Sequence, residues 1–366
     1  MRICIDATAL LLRSAGIKNY LYYWMRSLRE YAPEHDITAF PLLGDIGALD
    51  HDRSTLTPLQ TYPRIAVLQF INKIFKPAIN LAVPKVDIFH ASNQIHAVPR
   101  GVKLTGTVYD MTCLLMPQFH TAANVRAESQ HYDRVFKRGD ALIAISQSAK
   151  EDAVRLLRLN PDKITVIYPG IPERYFEAAP GEVRTKYNLS KPFVLFVGTI
   201  EPRKNVDTLL DAWIQLPSSI RQEHDLVFVG PIGWAGNATV NRLRSGIEGV
   251  RILGYVPESD LPAITAAATV FAYPSFYEGF GFPIAQAMAA GVPVITSNIS
   301  SMPEVAGDAG MLIDPQSATT LAEAMKALLT SPGRCQDMAE KGRRLARRFT
   351  WKNSAMQSAE FFSRLG

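Results

Sequence analysis

Two short stretches carry residue types that could do chemistry. The first is Glu278-Gly279-Phe280-Gly281-Phe282-Pro283, which follows the apolar run Thr269-Val-Phe-Ala-Tyr273 and the breaking pair Pro274-Ser275. A small-residue pattern, Ile284-Ala-Gln286-Ala-Met288-Ala-Ala, comes next and stops at Gly291. Proline suits the first turn of a helix and glycine the position past its end, so the stretch reads as strand, glycine loop and helix. Gly279 and Gly281 let backbone N–H groups come close to a ligand, and a helix N-terminus favours an anion. A carboxylate in that loop repels phosphate, so Glu278 fits better as an acceptor of hydrogen bonds from sugar hydroxyls. An ordinary strand-to-helix connection with a surface glutamate would carry the same residues.

The second stretch is Gly198-Thr-Ile-Glu-Pro-Arg203-Lys204-Asn205, between the apolar run Phe193–Val197 and a helical pattern from Val206 to Gln215. Two adjacent cations at a helix start make a phosphate site that needs no metal, although two exposed surface cations would look alike. Asp50-His51-Asp52 has a spacing that can hold a divalent ion. A pattern this short arises about once by chance in a chain of this length, and its polar surroundings read as a solvated loop.

The elements that must position these residues alternate along the chain. Arg2–Asp6, Ile37–Phe40, Val86–His90, Lys103–Tyr109, Ala141–Ile145 and Ile164–Ile167 read as strands, with room between most of them for crossover helices. Such alternation implies a doubly wound parallel sheet whose ligands lie at strand carboxyl ends, where His90, Asp110 and Ser146 fall. The segment Glu173–Lys191 is charged, bears proline and glycine, and reads as a connector. Beyond it the alternation restarts at Phe193–Val197, Leu226–Val229 and Arg251–Val256, and Val292–Thr296 and Gly310–Asp314 follow the glycine loop. Glycines 230, 233 and 236 echo a dinucleotide fingerprint with the wrong spacing.

At 366 residues the chain has room for two domains, and 47% hydrophobic with 20% charged residues is the balance of a globular protein with ample core. The net charge of +5 suits anionic small molecules or an anionic surface. No basic tract with interleaved aromatics points to nucleic acid. Cys4, Cys113 and Cys335 lack metal-ligand spacing and read as reduced thiols of a cytoplasmic protein. No run approaches the ~18 to 20 apolar residues of a membrane span. Arg64–Lys85 is apolar with lysines interspersed. A helix with its apolar face in the core is the preferred reading, and a basic amphipathic segment in peripheral membrane contact is the alternative.

EGFGFPIAQAMAAGVPVI resembles the Glu-x7-Glu signature of retaining GT-B glycosyltransferases of family 4, with Gln286 where the second acid stands. GTIEPRKN resembles that family's GTLEPRKN loop, SSMPEVAGDAGMLIDP its SSLPEVAGDAALLVDP-like run, SAGIKNY its GIGRY-like first loop, and Gly106-Thr-Val-Tyr109-Asp110 its TVHD element with Tyr109 in place of His.

The resemblance implies an α/β GT-B fold: two Rossmann-like doubly wound domains facing a central cleft, at 1–172 and 192–349. It also implies a connector at 173–191 and a last helix, 350–366, packing back on the first domain. It implies retaining transfer of a sugar, mannose first, from a GDP-sugar or UDP-sugar to a glycan or lipid-linked acceptor without metal or further cofactor. Arg203 and Lys204 would clamp the donor diphosphate, and Glu278 would hold sugar hydroxyls. Backbone amides around Gly279, Phe280, Gly281 and Phe282 would touch sugar or phosphate. Gly16 would lie near the donor phosphates, Tyr255 or Val256 by the base, and Gln286 on the ribose as a weaker clamp than a carboxylate. Tyr109 and Asp110 would face the reacting sugar and the acceptor. Tyr109 and Gln286 also motivate a second reading, a lapsed enzyme that binds sugar nucleotide or acts as a scaffold on the same fold.

Overall fold

The computed structural model describes residues 1–12, 16–41, 46–50, 53–92, 95, 97–233 and 237–366. The chain divides into two units, Met1–Gly170 with Thr350–Gly366, and Ile171–Phe349.

The first unit is built on six strands: β1 Arg2–Asp6, β2 Asp36–Phe40, β3 Ile88–Ala91, β4 Lys103–Val108, β5 Ala141–Ala144 and β6 Ile164–Val166. All pairs are parallel, and the order is β2-β1-β3-β4-β5-β6. Strand residues such as Ile3, Cys4, Ile5, Phe89 and Ile143 are buried on both faces, as expected for a parallel sheet covered by helices. The Gly16–Tyr31 helix has Tyr20, Trp24 and Leu28 fully buried at helical spacing. The final helix, Trp351–Ser363, packs against it, and the Trp24 indole donates to Ser358 Oγ at 2.9 Å.

The second unit has strands β7 Phe193–Val197, β8 Asp225–Val229, β9 Val250–Gly254, β10 Val270–Tyr273, β11 Val294–Ser297 and β12 Gly310–Ile313. They are again all parallel, in the order β12-β11-β10-β7-β8-β9. This is the doubly wound order whose direction of winding reverses between the first and fourth strands, here β7 and β10. Ligands in such sheets bind outside the strand carboxyl ends at that reversal.

The segment expected as a connector is built onto the second unit. Arg184 donates to the Ala267 carbonyl at 2.7 Å, and Lys186 Nζ and the Tyr187 hydroxyl both reach Asp260 Oδ2 at 2.6 Å.

The helix in the Arg64–Lys85 region runs from Pro58 to Lys73, starting earlier than the sequence pattern suggested because Thr57 and Gln60 form a capping box. Only Thr61, Leu68 and Ile71 of this helix are buried, so the core-facing reading holds for one narrow stripe.

Candidate active site

The loops after β7 and β10 meet at the reversal point of the second sheet, and they bring together residues 74 positions apart. After β7 the chain makes a 3-10 turn over Pro202–Lys204 and a left-handed residue, Asn205 (φ 58°), before the Val206–Gln215 helix. Asn205 Nδ2 donates to the Pro274 carbonyl at 3.0 Å and the Pro315 carbonyl at 2.6 Å, tying this turn to the β10 loop. The Phe276 amide donates to the Arg203 carbonyl at 2.9 Å.

On this frame the side chains form one buried cluster. Glu278 Oε1 accepts from Lys204 Nζ at 2.6 Å, and its Oε2 lies 2.9 Å from Arg203 Nη1. Lys204 Nζ also donates to the Tyr273 hydroxyl at 2.6 Å. Arg203 donates further to the Tyr277 carbonyl and to Glu201 Oε1, each at 2.7 Å. Glu201, Lys204 and Glu278 are all buried. Two carboxylates therefore balance two cations, which is what keeps four charges tolerable away from water. Burial alone would raise the Glu278 carboxyl, but the Arg203 and Lys204 cations outweigh it and hold it at about 2. Burial, with Arg203 nearby, pushes the Lys204 amine down while Glu278 and Glu201 oppose the change.

The backbone of Glu278 is fixed as well. Ser300 Oγ and Ser301 Oγ donate to its carbonyl at 2.7 and 2.9 Å, and its amide reaches Ser300 Oγ at 3.2 Å. Gly281 caps the Phe282–Ala289 helix with φ 94°, a conformation that favours glycine, and a Cβ there would lie 3.0 Å from Ile284 Cδ1. The Phe280 ring is buried and packs edge-on against Phe282 and Phe349, so only its backbone is available to a ligand. Gln286 is half-buried on the same helix. Tyr255 is exposed and the Val256 side chain is buried, both just beyond β9. Gly279 is half-buried between Glu278 and Phe280.

Candidates in the first unit group differently. Tyr109 and Asp110 follow β4 and line a cavity of about 370 Å³ with Thr112, His120, Asn124 and Glu128. Asp110 Oδ1 accepts from the Thr112 amide at 2.9 Å and its hydroxyl at 2.6 Å, which fixes the carboxylate at the strand end. The Tyr109 hydroxyl is held far above the usual tyrosine range, first by burial and then by Tyr20. Gly16 opens its helix with nothing within 4 Å of a Cβ built there, so no close approach within the protein requires glycine. Lys18 is buried and taken up by the Leu12 and Arg53 carbonyls. His90 is a core residue: Nδ1 and Nε2 pair with Thr105 and Thr107 at 2.9 and 2.8 Å, against Trp24 and Phe362. Ser146 caps the Gln147–Leu157 helix. His51, Asp52, Ser14, Ala15 and Trp234 to Gly236 lie outside the described residues.

Sequence reasoning missed Glu201, although it stands inside the quoted GTIEPRKN stretch, and it missed buried Asp6 at the reversal point of the first sheet. Asp6 Oδ1 and Oδ2 accept from the Thr8 and Ser92 hydroxyls, each at 2.5 Å, and stitch the β1 and β3 ends together.

The solved structure of Anabaena Alr3699/HepE in complex with UDP and glucose matches 100% of both chains with a TM-score of 0.71 at 20% identity. The twin parallel sheets and this likeness define a GT-B fold. A family model described as Glycosyl transferases group 1 matches residues 182–345, and one described as Glycosyltransferase Family 4 matches residues 14–174. The O-antigen chain mannosyltransferase B of Escherichia coli is 33% identical over 286 residues, covering 76% of this chain and 74% of that protein. The serotype-specific mannosyltransferase WbdA of Escherichia coli is 29% identical over 239 residues, covering 63% of this chain and 29% of the relative. The chain belongs to glycosyltransferase family 4 and is a hexosyl-transferring enzyme.

Proposed function

We propose that the enzyme moves a mannosyl unit, with retention, from a nucleoside-diphosphate sugar to a hydroxyl of a growing glycan, without a metal ion. The observation that carries this reading is the buried Arg203–Lys204–Glu278 cluster at the reversal point of β7 and β10. The mannosyl assignment rests on similarity to the O-antigen chain mannosyltransferase, and GDP-mannose is the first donor to test.

The chemistry asks little of the protein beyond electrostatics. The bond from the anomeric carbon to the diphosphate oxygen breaks, and its electron pair stays on the leaving diphosphate. The acceptor oxygen bonds to that carbon on the same face, and its proton passes to the departing phosphate oxygen. Negative charge thus grows on the diphosphate, where Arg203 and Lys204 stabilise it in a site largely closed to water. As those cations turn to the phosphates, Glu278 is released to accept hydrogen bonds from the sugar. The amides around Phe280 to Phe282 at the helix start add dipoles of the right sign. Gln286 holds the ribose, and Tyr255 or Val256 flanks the base. Asp110 and Tyr109 orient the acceptor.

The test is a transfer assay with GDP-mannose and a mannose-ending oligosaccharide in the presence of EDTA, reading the new linkage by its one-bond carbon–proton coupling. An α linkage formed from the α donor supports retention without metal. A β linkage, or activity restored only by a divalent ion, overturns the mechanism. Donor binding without any transfer or hydrolysis would overturn the reading of this cluster as the catalytic donor site.

A further inference from the structure

We propose that the outer face of the Pro58–Lys73 helix and the turns after it form a docking surface for an anionic lipid bilayer. Among the described residues fourteen large hydrophobic side chains are exposed, and seven of them fall between Leu59 and Leu81: Leu59, Tyr62, Val67, Phe70, Ile74, Phe75 and Leu81. A patch this concentrated marks an interaction site, whereas scattered surface hydrophobics mean nothing.

The helix is apolar on two opposite sides. Thr61, Leu68 and Ile71 form the buried stripe. Leu59, Ala66, Phe70 and Ile74 recur three to seven residues apart on the opposite side and are all exposed. At 3.6 residues per turn these two sets lie about half a turn apart. A helix with apolar residues on two opposite sides needs apolar surroundings on both, and the core supplies only one.

Charge selects the kind of partner. From Leu56 to Val86 the sequence holds four cations, Arg64, Lys73, Lys76 and Lys85, and no acid, while Arg53 just before them is ion-paired with Asp50. Lys73, Lys76 and Lys85, at the end of this helix and in the segment after it, are exposed. Apolar side chains framed by lysines are complementary to acyl chains beneath anionic headgroups, because the rings and branched chains enter the interface while the amines stay at phosphate level. With no helix in the described residues long and apolar enough to cross a membrane, this contact lies on the surface. It goes beyond the transfer reaction and stands whichever nucleotide the second unit takes.

The test is flotation of the full chain with vesicles of phosphatidylglycerol and phosphatidylcholine in equal parts, against phosphatidylcholine alone. Wild type is expected to float with the anionic vesicles only, and less as salt rises. Lys73→Gln with Lys76→Gln should lower partition about twenty-fivefold, at about fivefold for each surface cation. Phe70→Ser with Ile74→Ser should abolish flotation. Both pairs are exposed, so circular dichroism and nucleotide affinity, which reads the donor site separately, should stay at wild-type values. Failure of wild type to float, or flotation indifferent to lipid charge and salt, overturns the proposal whatever the variants do. So does a lipid-free dimer that Phe70→Ser with Ile74→Ser dissolves and anionic vesicles do not compete away, since the face would then join two copies.

Discussion

Replacing Glu278 by glutamine removes the one carboxylate that both Arg203 and Lys204 share. The Glu278 carboxyl sits at about 2 in the folded protein, against 4.5 for an ordinary glutamate. At about 1.4 kcal/mol for each pH unit between those values, the ionised group contributes about 3 kcal/mol to stability at neutral pH. The folded value is the depressed one, so this contribution is complete above about 4.5 and fades as pH falls toward 2. The amide that Glu278→Gln puts in its place does not titrate and has no such dependence. Stability measured by urea should therefore differ between wild type and Glu278→Gln by about 3 kcal/mol at pH 7 and by only about 1 kcal/mol at pH 3. Part of the loss comes from two cations left facing each other, so adding Lys204→Met to Glu278→Gln should recover part of it at pH 7. Native-state hydrogen exchange of the β7 and β10 amides gives the same comparison confined to the second unit. A difference as large at pH 3 as at pH 7, or none at pH 7, would refute the electrostatic account of this cluster.

Further consequences can be checked one by one. Gly281→Ala forces a side chain into φ 94° and against Ile284, so it should cost about 1–3 kcal/mol in thermal unfolding; an unchanged midpoint would contradict this. Gln286→Glu should tighten GDP binding by about threefold to tenfold in calorimetry, because a charged acceptor makes the stronger hydrogen bond to ribose; weaker binding would remove Gln286 from the ribose. Tyr109→Phe should lower acceptor-dependent turnover about tenfold, the worth of one hydrogen bond, while leaving donor affinity unchanged; a change in donor affinity alone would place Tyr109 elsewhere in function.

Much of this architecture could be read from apolar runs. All twelve described strands appear in the sequence as short apolar stretches, and those at the sheet centres, such as β7, β8 and β10, are buried on both faces and leave no alternation to blur them. Arg203, Lys204 and Glu278 could be singled out one by one, since each stands beside a loop-and-helix signal. Their pairing could not, because nothing local says that segments 74 residues apart share a reversal point, nor that Glu278 is neutralised by the cations. His90 shows the opposite failure: a strand-end position looks functional until Thr105 and Thr107 are seen to satisfy both ring nitrogens. The Pro58–Lys73 helix resisted a single reading because its two apolar sides cancel in any one-sided pattern. The Glu173–Lys191 stretch looked like a connector from its composition, whereas Arg184, Lys186 and Tyr187 anchor it to the second unit through long-range bonds that composition does not encode.

The most direct test of the central claim is calorimetric titration of GDP and UDP, with EDTA present, into wild type, Arg203→Ala and Lys204→Ala. Charge-assisted hydrogen bonds to a diphosphate are worth about 1.5–3 kcal/mol each, so either substitution should weaken the preferred nucleotide about tenfold to a hundredfold. Binding that is equal in all three proteins, or absent in wild type for both nucleotides, would contradict the assignment of this cluster as the donor site.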